Sequence, residues 1–193
     1  MQDNILNPNP SADFILSPTG ALARNAQGVA IEAAYREAER AHDALELSWA
    51  GAYVASLFQQ HPWLLAMTIT LSASAEYDDQ GGTYRSVSNN VTDVVVVSDV
   101  TLPDEALDDG TFNPHLAANL IEESLEDSDY DLYTSFNEAP YGYDDLCLKV
   151  NRDAIAHLFA SGAPVSGTEA FLALFPEHTE LLRADIPSLV AAD

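Results

Sequence analysis

Cysteine is almost missing from this chain: Cys147 is the only one in 193 residues. A single thiol excludes an internal disulfide and any zinc site built on paired cysteines, and it fits a reducing compartment. Lysine is as scarce, with Lys149 alone. Long apolar runs are lacking too, and the strongest fall far short of the ~20 residues that a membrane span needs. The opening Met1-Gln2-Asp3-Asn4 has no basic region of the kind a secretory leader carries. These absences predict a cytoplasmic protein without a membrane segment, and they make the sequon Asn90-Val91-Thr92 a coincidence.

Motifs of chemistry are also absent. The five histidines, His42, His61, His115, His157 and His178, are scattered without the spacing of a zinc pair. There is no glycine-rich phosphate loop and no serine elbow. Cys147 lies between Leu146 and Leu148, close to Asp144 and Asp145. Neighbouring carboxylates oppose a thiolate, so Cys147 reads as a packing residue. The residues point to a non-enzymatic protein with no cofactor and no metal.

What the chain has in excess is negative charge. It carries 31 acids against 7 basic residues, a net of −24. Such a field repels nucleic acid and anionic membranes and attracts basic protein surfaces. The acids are unevenly balanced. In the first third, Glu32, Glu37, Glu39, Asp43 and Glu46 are interleaved with Arg36 and Arg40 at spacings that allow pairing along a helix. Between Arg85 and Lys149 no basic residue occurs, and 15 carboxylates do.

The pattern along the chain predicts an α+β fold. Residues 1–27, with Pro8, Pro10, Pro18 and Gly20, read as an irregular N-terminal arm, and 28–193 as one domain. Residues 28–60 have helical spacing, with Gly51 as a bend or break, until His61-Pro62 stops them. Residues 64–77 then alternate apolar and polar, as a half-buried strand does. Asp78-Asp79-Gln80-Gly81-Gly82 supplies a hairpin turn into a second strand running to about Val100, with a bulge near Val94–Val97. Asn113-Pro114 opens a helix to about Glu126. Tyr130–Phe136 and Asp145–Val150 read as a second pair of strands. Helices capped by Asn151 and by Ser166 follow, and Pro176 starts the last one. The expected architecture is an antiparallel sheet of about four strands, in two hairpins, with helices mainly on one face.

One local pattern imitates a cation site. Asp127, Asp129, Asp131, Tyr133, Ser135 and Glu138 hold the ligand positions of a calcium loop after a helix. Leu132 stands where that loop needs glycine, and Pro140 and Gly142 block the exit helix, so the simpler reading is an acidic helix end running into a strand.

The candidate partner-binding residues are therefore Asp104, Glu105, Asp108, Asp109, Glu122, Glu123, Glu126, Asp127, Asp129, Asp131, Asp144 and Asp145, with Tyr133 as an aromatic anchor among Tyr130, Tyr141 and Tyr143. The 104–109 cluster, the 122–131 run and the near absence of lysine make the chain similar in character to small acidic inhibitors of phages and mobile elements, the DNA-mimic anti-CRISPR and antirestriction proteins. The resemblance is one of composition. It implies a protein that occupies the Lys/Arg groove of a nucleic-acid-binding effector without binding nucleic acid itself, and it leaves a homodimer open. Two other readings fit the same residues. General acidity suits a salt-adapted interaction or oligomerising protein, and a small enzyme would have to assemble its site from residues such as Asp144, Asp145, His115 and His157.

Overall fold

A computed structural model describes residues 11–137 and 142–183. It divides the chain into two units, Met1–Asp43 and Ala44–Asp193. One long helix, α1 (Ala26–Gln60), runs through both.

In the first unit the described part of the expected irregular arm is a hairpin. Strand β1 (Phe14–Leu16) pairs antiparallel with β2 (Leu22–Arg24), Phe14 opposite Arg24. The turn is made by Ser17-Pro18-Thr19-Gly20, with Gly20 at φ 82° and the Ser17 hydroxyl accepting the Ala21 N–H at 2.9 Å. Its proline and glycine mark the turn of a hairpin whose strands are only three residues long. Asn25 then caps α1, its side-chain oxygen accepting the Gly28 N–H at 2.8 Å.

The second unit holds a three-stranded antiparallel sheet in the order β4-β3-β7, where β3 is Leu64–Tyr77, β4 Thr83–Val96 and β7 Leu146–Asn151. Ile69 sits between Val91 and Leu148, and Leu71 between Asn89 and Leu146. Burial follows this alternation. Ile69, Leu71, Val91, Leu148 and Val150 enter the core, while Cys147 and Lys149 in the opposite phase are exposed. The expected packing role of Cys147 is thus corrected: the same alternation that buries Leu148 turns the thiol outward.

The hairpin turn forms as its residues dictate, with Asp78 accepting the N–H groups of Gln80 and Gly82 and Gly81 at φ 83°. The bulge also lies where the valine run implies. Ala66 pairs with Val95 and Thr68 with Thr92, so β4 has one residue more than β3 across that step. Asp93 takes up the irregularity at φ 52°, and its carboxylate accepts a hydrogen bond from Thr68 at 3.1 Å.

After β4 comes a helical turn at Asp104–Ala106 and a small hairpin, β5 (Leu107–Asp108) with β6 (Thr111–Phe112), closed by Asp109 and Gly110 at positive φ. Helix α2 (Pro114–Leu125) follows, capped by Asn113, which accepts the N–H groups of His115 and Leu116.

The next segment corrects the expected four-stranded sheet. Residues 129–136 form a helix, α3 (Asp129–Phe136), and leave three strands. Leu132, Tyr133 and Ser135 are buried and Phe136 partly so, a spacing that suits a helix face as well as the tyrosines suit a strand. Asp129 and Asp131 lie in its first turn, where carboxylates favour a helix start. A helix also removes the calcium-loop geometry, because four of the six ligand positions now lie on one rod. Glu138, like Tyr141, lies outside the described residues.

Beyond β7 come α4 (Ala156–Ala160), α5 (Gly167–Leu174), capped by Ser166, and α6 (Thr179–Arg183). Gly51 does not break α1, which is continuous through it. A Cβ there would collide with the Gly167 carbonyl and the Phe171 nitrogen, and one on Gly167 would collide with the Ser48 carbonyl. The two glycines let the backbones of α1 and α5 meet directly. Phe136 packs on Phe171 and Phe175 at centroid distances of 5.6 and 5.0 Å, which joins α3 to that crossing.

Candidate functional site

Strand β4 lies at an edge of the sheet. The Val91 N–H points away from β3 and is taken by the Glu122 carboxylate of α2 at 2.7 Å. In an antiparallel ladder alternate residues direct their backbone groups to the same side. Asn89 and Val87 therefore also turn theirs outward, toward a groove between the strand edge and the helices. The groove has a volume of about 620 Å³ and is lined by Val87, Ser88 and Asn89 from β4 and by Asn119, Glu122, Glu123, Glu126 and Asp129.

Helical spacing builds its acidic wall. Glu122, Glu123 and Glu126 stand at i, i+1 and i+4, and Asp129 opens α3 one turn further on. Asp129 also accepts from the Asn89 side-chain amide at 3.5 Å, while the Asn89 side-chain oxygen is buried with no hydrogen-bond partner among the described residues. Glu122 is half-buried by its bond to β4, and Glu123, Glu126 and Asp127 are exposed. Tyr53 supports the same corner from α1: its hydroxyl donates to the Ser124 carbonyl at 2.7 Å. Burial pushes its pKa up, the Ser128 side chain opposes that, and the charges of Asp129 and Asp127 add to the rise.

The ion pairs seen among the described residues are Arg24–Glu32, Arg36–Glu32 and Arg40–Glu37, all in the first unit. None of the groove carboxylates takes part in one. Arg85 of β4 stacks over the rings of Tyr130 and Tyr133, 5.3 Å from each centroid. Ionised carboxylates only accept hydrogen bonds, so the groove suits a ligand rich in cationic donors. Among the described residues no three acids, histidines or cysteines come together to hold a metal ion.

The other sequence-predicted residues fall elsewhere. Asp104, Glu105, Asp108 and Asp109 are exposed on the turn and hairpin before α2, tied to its start by the Asn113 N–H to the Ala106 carbonyl at 2.9 Å. At 1.5 Å per residue, α2 separates that cluster from Glu126 by about 18 Å along its axis. Asp127 and Asp131 are exposed beyond the groove, and Asp144 and Asp145 precede β7. Tyr133 cannot be a surface anchor, because it is fully buried. Its hydroxyl donates to the Asp144 carbonyl at 2.9 Å and accepts from the Asn137 amide at 2.7 Å, which fixes the approach to β7. Among the described tyrosines of that set, Tyr130 and Tyr143 are exposed.

The contribution of β4 to the groove was not read from the sequence. Its signal was present in Asn89, a polar residue in the same alternating phase as Val87 and Val91. His115 and His157 are exposed and line neither this groove nor the apolar cavity of about 430 Å³ at Phe58, Phe159 and Val165. Among the described residues its one cation, Arg152, already donates to the carbonyls of Phe58, His61 and Leu64. No protein-family model matches the sequence, and neither curated proteins nor solved structures give a significant match. Among the described residues no helix is long and apolar enough to cross a membrane.

Proposed function

We propose that this chain is a non-enzymatic binding protein that engages a basic, nucleic-acid-binding effector through its carboxylates and blocks the effector's access to nucleic acid. The observation that carries this reading is the groove wall of Glu122, Glu123, Glu126 and Asp129, which no arginine or lysine among the described residues pairs with. Holding like charges together costs stability, and a cationic partner offsets that cost while gaining steered association. Glu123 and Glu126 stand about 4.5 Å apart along the helix axis, comparable to the ~3.4 Å axial spacing of phosphates along one DNA strand. The 104–109 cluster at the other end of α2 supplies a second group of negative charges, as a nucleic-acid groove would require of an occupant. The fit to anti-CRISPR or antirestriction inhibitors is the specific form of this proposal.

A competition assay tests it. The chain, immobilised, should enrich a basic nucleic-acid-binding protein from a host lysate, and adding the free chain should displace labelled DNA or RNA from that protein. Displacement should fade as salt rises through the physiological range, as screened charge contacts do. Capture of partners without any loss of their nucleic-acid binding would sink the mimicry reading.

A further inference from the structure

Strand β4 is 14 residues long and lies at the edge of its sheet. An unprotected edge is a template for a further strand. The two ends of this one are guarded. At one, Glu122 takes the Val91 N–H and the bulge at Asp93 follows. At the other, Arg85 lies over the rings of Tyr130 and Tyr133 of α3. Between them Val87-Ser88-Asn89 carries no charge, no proline and no bulge. Among the described residues no group pairs with the outward backbone N–H and C=O of Val87 or Asn89. The Asn89 side chain is underused in the same place. Among the described residues its one hydrogen bond is 3.5 Å long and its oxygen has no partner.

Geometry sets what fits there. In an antiparallel ladder, a residue laid opposite Asn89 or Val87 exchanges both backbone bonds with it. Its side chain stands on the same face of the sheet as that of the residue it opposes. The Asn89 side chain reaches Asp129 of α3, and Val87 packs against the core. That face is therefore the one that carries Glu123, Glu126 and Asp129 along the groove. The residue between the two points the other way, beside the exposed Ser88. Ionised carboxylates only accept hydrogen bonds, and they bind charged donors most strongly. A phosphate backbone in the same groove would be repelled.

We infer that the groove receives a short extended polypeptide segment of the basic partner, paired to Val87 and Asn89 as a fourth strand, with arginine or lysine at alternate positions facing Glu123, Glu126 and Asp129. The inference rests on the cationic-partner reading of this groove and names the part of the partner that enters it. Backbone bonds to the strand edge supply affinity, and the pocketed carboxylates choose the alternating pattern. Glu122 ends the ladder at Val91, which keeps the docked stretch short.

Two end-capped peptides of one composition test it: Arg-Thr-Arg-Thr-Arg-Thr-Arg and Arg-Arg-Thr-Thr-Thr-Arg-Arg. Only the first places arginines at successive positions on one face of a strand. By fluorescence anisotropy with the full chain at low salt, it should bind about fivefold more tightly than the second, the effect of one added charge pair. Methylating the backbone nitrogens of its arginines should erase that advantage, and methylating those of its threonines should not. On binding, amide hydrogen exchange should slow at Val87 and Asn89 and stay unchanged at Cys147 and Lys149 on the opposite edge strand. Val87→Pro removes one outward N–H at an edge, where proline is tolerated, and should bring the first peptide down to the affinity of the second. Equal affinity of the two peptides overturns the inference, and so does binding that leaves exchange at Val87 and Asn89 unaltered. The cationic-partner reading survives either result where the competition assay succeeds, and it falls with that assay alone.

Discussion

Arg152 shows how a single residue can settle what its own neighbourhood does not suggest. Helix α1 ends without a basic residue in its last turn, and its final carbonyls would be left to water. Arg152, some 90 positions away, donates to the carbonyls of Phe58, His61 and Leu64 and lies over the Phe58 ring. Arg152→Met keeps the apolar stem and removes all three bonds. Bonds to charged groups contribute about 1.5–3 kcal/mol each when isolated and less when they share one donor group, so the variant should lose about 3 kcal/mol in urea unfolding. A loss within experimental error would show that solvent replaces the guanidinium at no cost. Glu122 is a second residue with an unexpected duty. It caps the open edge of β4, so reversing its charge would damage the sheet as well as the groove, and a clean test of binding leaves it in place.

At the scale of elements, much was legible where one local rule dominates. The alternation of residues 64–77, the turn at Asp78–Gly82, the bulge in the valine run and the Asn113-Pro114 helix start all appear where the residues place them. Two elements were not legible. In residues 130–136 the aromatic and apolar positions satisfy both a two-residue and a helical period, and the run is too short for periodicity to decide. The hairpin at Phe14–Arg24 has strands of three residues, below the length at which alternation is visible. Gly51 was legible only as a bend or break, and Gly167 only as part of the helix start after Ser166, because a close approach depends on the element across from them. Gly167→Ala, or Gly51→Ala, should destabilise the fold by about 2–3 kcal/mol through overpacking against backbone. Thermal unfolding measures this, and a neutral result for both would mean that α1 and α5 can separate without penalty.

At the scale of the whole molecule, the candidate site was legible as acids but not as a shape. The carboxylates at 122, 123, 126 and 129 come together because α2 and the start of α3 carry them past one strand edge. Those at 104–109 and at 144–145 lie outside that groove, so the negative residues form separate groups rather than one array. Tyr133 left the surface altogether, drawn in by its bonds to Asn137 and Asp144. The most direct measurement is the affinity of the captured basic partner for the wild-type chain and for Glu123→Lys/Glu126→Lys/Asp127→Lys, by calorimetry at physiological salt. These three side chains are exposed, so circular dichroism should be unchanged, and binding should weaken by about a hundredfold, which is roughly 1 kcal/mol for each reversed charge. Equal affinity of the folded triple variant would contradict the account.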